Sequence, residues 1–226
     1  MNVNLGRYEL PMSRSRMDGA PVQRPVAGSR REQILEVAAR LFARHGFHGV
    51  SIADLGAAVG VSGPALYRHF SGKEALLEEM LVGISEYLLA GGRARTGDGD
   101  PRTELAALVD FHLDFATREP ELIVVHDRDL ANLPDPARRR VRVLQRTYVE
   151  IWVDTLRRVH PDLSPAAARV AAHGVFGLLN STPYSAASAP ADDTGTDPRV
   201  EVAVLRRMAL AALEVGRPAP GADQQP

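Results

Sequence analysis

Apolar positions recur along most of this chain with the 3.6-residue period of an amphipathic helix, and no segment alternates with the period of a strand. Ile34, Leu35, Ala38, Leu41, Phe42 and His45 form one inward stripe. It is preceded by Ser29-Arg30-Arg31-Glu32, the Ser-x-x-Glu spacing in which each end satisfies the other's backbone N–H at a helix start. Gly46 then supplies a left-handed stop. Ser51, with Asp54 three residues on, caps a second short helix that carries Ile52, Leu55, Ala58 and Val59 inward as far as Gly60. Gly60-Val61-Ser62 is a tight connector: glycine takes positive φ, Val61 plugs the core, and Ser62 caps a third helix, 63–70, with Pro64 in its first turn. Two short helices joined by a turn of three or four residues containing glycine make a helix-turn-helix, whose second helix is shaped to enter a DNA major groove.

A long run from Lys73 places Leu76, Leu77, Met80, Leu81, Ile84 and Leu88 on one side and is expected to end at Gly91-Gly92. Pro101 opens a helix that stops near Glu119 because Pro120 cannot continue it. A short helix over 122–130 follows, then a long one over 137–159, ended by His160-Pro161. Ser164 and Pro165 start an Ala-rich helix that Thr182-Pro183 bends or ends, and a last helix, 198–215, buries Val202, Leu205, Met208, Ala209 and Leu213. The fold class is therefore all-α with about nine helices. Pro11, Gly19, Pro21, Pro25 and Gly28 punctuate residues 1–28, which are read as a mobile arm with Met12 and Met17 as alternative starts. Residues 190–197 are a polar loop, and the tail from Gly216 is unstructured by composition.

Composition narrows the function. The 226 residues are 45% apolar and 24% charged, as in ordinary globular proteins. No stretch approaches the roughly 18 to 20 unbroken apolar residues of a membrane span, and residues 1–28 lack the apolar core of an export signal. A cytoplasmic protein without membrane contact is expected. With no Cys, a disulfide framework, an iron–sulfur cluster, a thiolate zinc site and a cysteine nucleophile are all excluded. The net charge of −1 hides an asymmetry: residues 1–73 carry +5 and the remainder −6. A basic DNA-facing module joined to an acidic body fits that split. Lys73 is the only lysine, against 26 arginines.

Three stretches carry a resemblance. They are Ile34-Leu35-x-x-Ala38-x-x-Leu41-Phe42-x-x-x-Gly46-Phe47, then Ser51-Ile52-x-x-Leu55-x-x-x-Val59-Gly60-Val61-Ser62, and Ala65-Leu66-Tyr67-x-His69-Phe70-x-x-Lys73-Glu74-x-Leu76. Together they resemble the DNA-binding segment of the TetR family of bacterial transcriptional regulators, over about 50 residues. The resemblance implies a flexible arm (1–28), a three-helix helix-turn-helix domain (29–75), a helical ligand-binding and dimerisation body (76–215) and a tail (216–226). It also implies a homodimer whose two recognition helices enter successive major grooves of a pseudo-palindromic operator of double-stranded DNA. Those helices must lie roughly 34 to 36 Å apart, and a small molecule in the body acts by preferring a state in which that spacing is lost.

Tyr67, His69 and Lys73 match positions that in the family touch phosphates, and a phenol, an imidazole and an ammonium all donate to phosphate oxygens. Ser51 and Ser62 are further donors at helix starts, and Arg30 and Arg31 either reach the DNA backbone or are simply solvated. The recognition helix opens with Gly63-Pro64-Ala65, which offers no side-chain amide or guanidinium for two-point base contact. Ala65 fits against a thymine methyl. Arg68 is the one long donor on this helix and reads guanine, holds a phosphate or pairs with a carboxylate of its own chain.

In the body, Phe111, His112, Phe115, Tyr148, Trp152, His173, Phe176 and Asn180 place aromatic and polar groups on otherwise apolar faces, the composition of a small-molecule site, or of a plain aromatic core. Tyr184 and His126 belong to the same set. Gly174 and Gly177 suggest close helix approach, to a neighbour or across a dimer, and family bodies dimerise through helices corresponding to 165–188 and 198–215. Residues 122–160 and 174–185 resemble an actinobacterial subgroup that regulates acyl-CoA or fatty-acid metabolism, so an acyl-CoA or another hydrophobic effector is expected. Arg138-Arg139-Arg140-x-Arg142 adds charge for an anionic mouth or forms an exposed basic turn. Two other readings stand beside the regulator. A helical enzyme would start from His126-Asp127-Arg128-Asp129, but that spacing matches no metal or catalytic motif. A nonspecific DNA-binding helical protein would show salt-dependent binding without a preferred site. The expected function is a dimeric, ligand-responsive repressor that is not an enzyme and needs no cofactor or metal.

Overall fold

The computed structural model describes residues 29–187 and 198–215. The expected arm, the polar loop and the tail lie outside the described residues. Ten α-helices run in the order α1 (Arg30–His45), α2 (Ile52–Val59), α3 (Gly63–Leu66), α4 (Lys73–Arg93), α5 (Pro101–Arg118), α6 (Pro120–Asp129), α7 (Asp135–Val159), α8 (Pro165–Leu179), α9 (Thr182–Ala187) and α10 (Pro198–Ala212). A 3-10 turn, Leu130–Asn132, separates α6 from α7. The described residues form no strand. The tenth helix arises because the Ala-rich segment breaks at Asn180-Ser181 and restarts at Thr182, where the sequence predicts a bend or an end.

The caps explain most boundaries. Ser29 and Glu32 form a reciprocal capping box at α1, and Ser51 and Asp54 form another at α2. Such caps each stabilise a helix by about 1 kcal/mol. Gly60 ends α2 in the left-handed region (φ 68°, ψ 37°), which costs a residue with a Cβ. Asp100 caps α5 by accepting from the Thr103 N–H at 2.9 Å, and Ser164 caps α8 by accepting from the Ala167 N–H at 3.2 Å. Ser62, expected to cap α3, makes no side-chain cap bond. Its backbone carbonyl takes the Ala65 N–H at 2.9 Å, and Pro64 has no N–H to offer. The third helix is also shorter than expected. Beyond Leu66 the Arg68 and His69 amides reach back three residues, to the Ala65 and Leu66 carbonyls, so the chain tightens into a turn.

Two apolar clusters hold the chain together. The first joins α1, α2 and α3 to the N-terminal half of α4 through Ile34, Phe42, Leu55, Leu66, Leu77 and Leu81, and continues into Ile123 and Val125 of α6 and Val141 of α7. The second lies between α5, α7, α8 and α10, around Leu108, Trp152, Leu156, Val175 and Ala209. Leu88 and Leu144 pack against both. Each fully buried Leu, Ile or Phe side chain contributes roughly 1.5–3 kcal/mol. Because α4 belongs to both clusters, the helix-turn-helix and the body share one continuous helix. Not every predicted inward position is buried: His45 and Ala58 are exposed, and Met208 stands half out of the surface.

Polar anchors fix the remaining loops. The Glu104 carboxylate, nearly buried, accepts from the Gly97 and Gly99 amides at 3.1 and 2.9 Å and pairs with Arg158 at 2.5 Å. His160 Nε2 donates to the Leu213 carbonyl at 2.9 Å, tying the end of α10 to the end of α7.

Candidate nucleic-acid interface and a buried polar cluster

The turn after α3 sorts its side chains by direction. Leu66 and Phe70 point into the core, which turns Tyr67 (57% exposed) and Arg68 out to solvent. Tyr67 and Arg68 therefore form an exposed pair of donors on the outer face of the helix-turn-helix. Ser62 and Pro64 are exposed beside them, while Ala65 and His69 are half-buried.

Other candidates are engaged within the chain. The Ser51 hydroxyl accepts from the Asp54 N–H at 3.1 Å and donates to the Asp54 carboxylate at 2.6 Å. The hydroxyl, and then the Ser51 N–H at 2.8 Å, donate to the Asp54 carboxylate and hold it below its ordinary range. Lys73 Nζ donates to the Phe47 and Val50 carbonyls at 3.1 and 3.3 Å and lies 4.5 Å above the Phe47 ring. It thereby ties the first turn of α4 to the α1–α2 connection. Arg30 donates to the Val59 carbonyl at 2.6 Å. Arg31 pairs with Glu79, donates to the His69 carbonyl and stacks 4.1 Å over Phe70. Both arginines brace the fold, and neither is merely solvated.

In the body, the sequence candidates converge. His112 on α5 is fully enclosed, with Asn180 Oδ1 3.0 Å from its Nε2 and the Tyr148 hydroxyl 3.3 Å from its Nδ1. A neutral ring with its proton on Nε2 satisfies both contacts: Nε2–H donates to Asn180, and Tyr148 donates to Nδ1. Burial keeps it neutral, pushing its pKa down from 6.5 to about 4, and burial raises that of Tyr148 as well. Phe176 lies 4.9 Å from His112 and 4.8 Å from Trp152 between ring centres, Phe115 lies 5.6 Å from His112, and Tyr148 stacks on His112 at 5.9 Å. The rings fill the space between them. Trp152 is fully buried, yet its Nε1–H has no hydrogen-bond partner among the described residues. The Tyr148 hydroxyl is close enough to feel that N–H, but the two do not reach hydrogen-bond geometry. His173 falls outside this group, exposed on α8 with its ring 6.4 Å from Phe176, and Tyr184 is exposed on α9.

Four contributors escape the sequence pattern. Gly91 and Gly92, expected to end α4, lie within its last turn. A Cβ on Gly91 would overlap the Phe111 ring, and one on Gly92 would come 2.7 Å from Tyr148 Cε2. The rings of α5 and α7 are thus seated directly on the α4 backbone. Tyr87 packs against Phe111 at 5.3 Å, and Arg95 covers the same ring at 4.0 Å. The signal in the sequence is a Gly-Gly pair at the end of an apolar stripe, which reads equally as a stop. Gly174 and Gly177 are the opposite case, because a Cβ at either would meet nothing within 4 Å of its own chain.

The His126-Asp127-Arg128-Asp129 segment braces the two halves of the molecule. Arg128 donates to the Phe42 and Ala43 carbonyls, the second at 3.1 Å, and pairs with the buried Asp129. A guanidinium at the C-terminal end of α1 meets the Ala43 carbonyl, adds a second donor to the Phe42 carbonyl beside the Gly46 N–H, and faces the negative end of the helix dipole. Beside it, His48 and Asn132 are hydrogen-bonded at 2.9 Å. In the basic run, Arg138 pairs with Asp135 and Arg140 with Glu86, while Arg139 and Arg142 are exposed. Among the described residues no helix is long and apolar enough to cross a membrane.

Comparison with known proteins covers both halves. Residues 34–80 match the family described as bacterial regulatory proteins, tetR family, and residues 98–184 match the tetracyclin repressor-like C-terminal domain. The HTH-type transcriptional repressor KstR2 of Mycobacterium tuberculosis is 30% identical over 139 residues, 58% of this chain and 66% of that protein. The matches span just under two thirds of the length of such curated relatives, 63% for KstR2 of Rhodococcus jostii. Among solved structures, the TetR-family regulator PfmR of Thermus thermophilus superimposes with a TM-score of 0.70 at 25% identity, covering 85% of this chain and 100% of that one. AibR, solved with isovaleryl coenzyme A and operator DNA, shares the fold at a TM-score of 0.65 and 20% identity, over 80% of this chain and 97% of its own. The helix-turn-helix and the body each carry the mark of the same group of regulators, and this chain belongs to the TetR family.

Proposed function

We propose that this chain is a sequence-specific transcriptional repressor of the cytoplasm that holds a pseudo-palindromic operator as a dimer and releases it when a small hydrophobic or acyl-type molecule enters the body. The observation that carries the DNA reading is the outward pair Tyr67 and Arg68 on a helix-turn-helix where Arg30, Arg31, Ser51 and Lys73 are occupied in bracing it. Tyr67 and His69 are assigned to phosphates, Arg68 to a base edge or phosphate, and Ala65 with Gly63 to close approach in the groove. Ser62 keeps an exposed hydroxyl for a phosphate, whereas Ser51 and Lys73 reach DNA only alongside their internal bonds.

The direct test is fluorescence anisotropy of the purified protein on DNA fragments from beside its own gene, with unrelated DNA as control and at two salt concentrations. One fragment is expected to bind at least about 10³-fold more tightly than the control. Tyr67→Phe removes one donor from an exposed position, so affinity is expected to drop by a similar factor on every sequence while helix content and dimerisation stay unchanged. Equal affinity for all DNA would replace the operator reading with nonspecific binding.

Dimerisation is supported by the outer face of α8 and α10. Val170 is 72% exposed and Met208 48%, with Val200 and Val204 beside Met208, and Gly174 and Gly177 leave the same side of α8 open. Adjoining apolar residues on two packed helices are covered when a second copy brings the same face. Met208→Asp is expected to yield a monomer in sedimentation and to lose operator affinity on the order of 100-fold, since one half-site no longer assists the other. A Met208→Asp chain that sediments as a dimer places the interface elsewhere.

The effector reading rests on the His112–Tyr148–Asn180 network, whose enclosed polar groups and aromatic walls have the make-up of a ligand site. An acyl-CoA is the subgroup's chemistry and the ligand in the AibR complex. Isovaleryl coenzyme A and longer acyl-CoAs are therefore the first molecules to add to the protein–operator complex.

A further inference from the structure

The body's polar cluster has one buried donor without an acceptor among the described residues. Trp152 Nε1–H is completely buried and unpartnered. In the network beside it, Tyr148 donates to His112 and His112 donates to Asn180 Oδ1, which leaves the amide N–H groups of the half-buried Asn180 uncommitted to any acceptor among the described residues. The other walls are aromatic rings and aliphatic side chains such as Leu108, Val175 and Leu179, and no carboxylate, guanidinium or ammonium hydrogen-bonds to His112, Tyr148 or Asn180 among the described residues. Arg95 lies 4.0 Å over the Phe111 ring, where its charge reaches the Tyr148 hydroxyl but makes no hydrogen bond within the cluster. His112 remains neutral across ordinary pH.

We propose that the effector brings an uncharged hydrogen-bond acceptor, a ketone, ester or thioester carbonyl on an otherwise apolar body, to Trp152 Nε1, with the Asn180 amide as second donor. This rests on the reading of the body as the effector site. A buried N–H that gains an acceptor recovers the bond it lost to water, so a carbonyl is selected over a hydrocarbon of the same shape. A carboxylate finds no cation to pair with at Trp152 or Asn180 and must surrender its hydration, so it is disfavoured. The ligand enters by parting Phe176 from His112 and Trp152, since the rings fill the site.

Three probes of equal length separate these terms: methyl hexyl ketone, octane and octanoate. Isothermal titration calorimetry of the intact dimer measures each affinity, and the emission of Trp152, the only tryptophan of the chain, reports whether binding occurs in the cluster. The ketone is expected to bind at least about 10-fold more tightly than octane or octanoate and to shift the emission to longer wavelength. In Trp152→Phe, which keeps a ring and removes the donor, the ketone preference over octane is expected to fall toward parity while octane affinity is retained. The ratios in the unaltered chain stand as a test even where the variant does not fold. Octane or octanoate binding as tightly as the ketone, or a ketone that binds without changing the emission, overturns the carbonyl assignment alone. If none of the three binds or changes operator affinity, the effector reading of the body falls and the carbonyl assignment falls with it.

Discussion

Trp152→Ala is expected to melt on the order of 10 °C below the parent chain, the largest single stability loss that the body offers. The indole is fully buried and its ring lies within contact range of Phe176, His112 and Tyr148. Removing a large aromatic side chain from such a place costs about 3–5 kcal/mol, through lost burial and through the cavity left when the neighbours relax only in part. In a chain of this length each 1 kcal/mol moves the midpoint by about 2–4 °C. Its unpaired Nε1–H makes the loss somewhat smaller than burial alone implies, because an unsatisfied donor leaves with the ring. Calorimetric or circular-dichroism melting measures the effect, and added indole should restore part of it by refilling the cavity. A shift under about 2 °C would show that the indole is not packed as described.

The second large effect is on pH. Burial holds His112 neutral in the folded chain down to about pH 4, whereas in the unfolded chain it protonates near 6.5. Above pH 6.5 both states are neutral and His112 makes no contribution that varies with pH. Between 6.5 and 4 the unfolded chain binds a proton that the folded chain refuses, so stability falls as pH falls, by about 3 kcal/mol across the window. Below 4 the folded chain protonates too and this contribution levels off. Urea denaturation at a series of pH values, for the parent and for His112→Gln, isolates the effect from the carboxylates, which titrate in both. The difference between the two profiles is expected to grow by about 3 kcal/mol from pH 6.5 to pH 4. Parallel profiles would mean that His112 is hydrated in the folded protein.

Legible in the sequence is whatever a local rule governs. The two capping boxes, Gly60 and Pro120 set boundaries through bonds between residues a few positions apart, and these boundaries stand in the structure. The length of α3 is not legible, because Tyr67-Arg68-His69 suit a helix as well as the tighter turn that forms. The apolar period of α10 marks Met208 as inward, but periodicity does not tell a core from a face that another copy covers. In the candidate site, His112, Tyr148, Trp152, Phe176 and Asn180 stand out by their types alone and are brought together by packing between α5, α7 and α8. His173, one turn before Phe176, is not, since its direction on α8 depends on a neighbour that the local pattern does not reveal. By motif position alone Lys73 reads as a phosphate donor. Its bonds to the Phe47 and Val50 carbonyls come from a fold-back of more than 20 residues.

The seating of Phe111 and Tyr148 on Gly91 and Gly92 has a mechanical reading. α4 spans 21 residues, about 30 Å at roughly 1.5 Å per residue, with the glycine notch at one end and Lys73, stitched to the helix-turn-helix, at the other. Without side chains at the notch there is nothing compressible between ring and backbone, so a ring that moves takes the helix end with it. A tilt of about 5° pivoting at the notch sweeps the far end through roughly 2.5 Å over that length. The two glycines thus make α4 a stiff lever with almost no play at its short arm. In a dimer both levers swing, and the grooves that the two recognition helices must meet stay where they are.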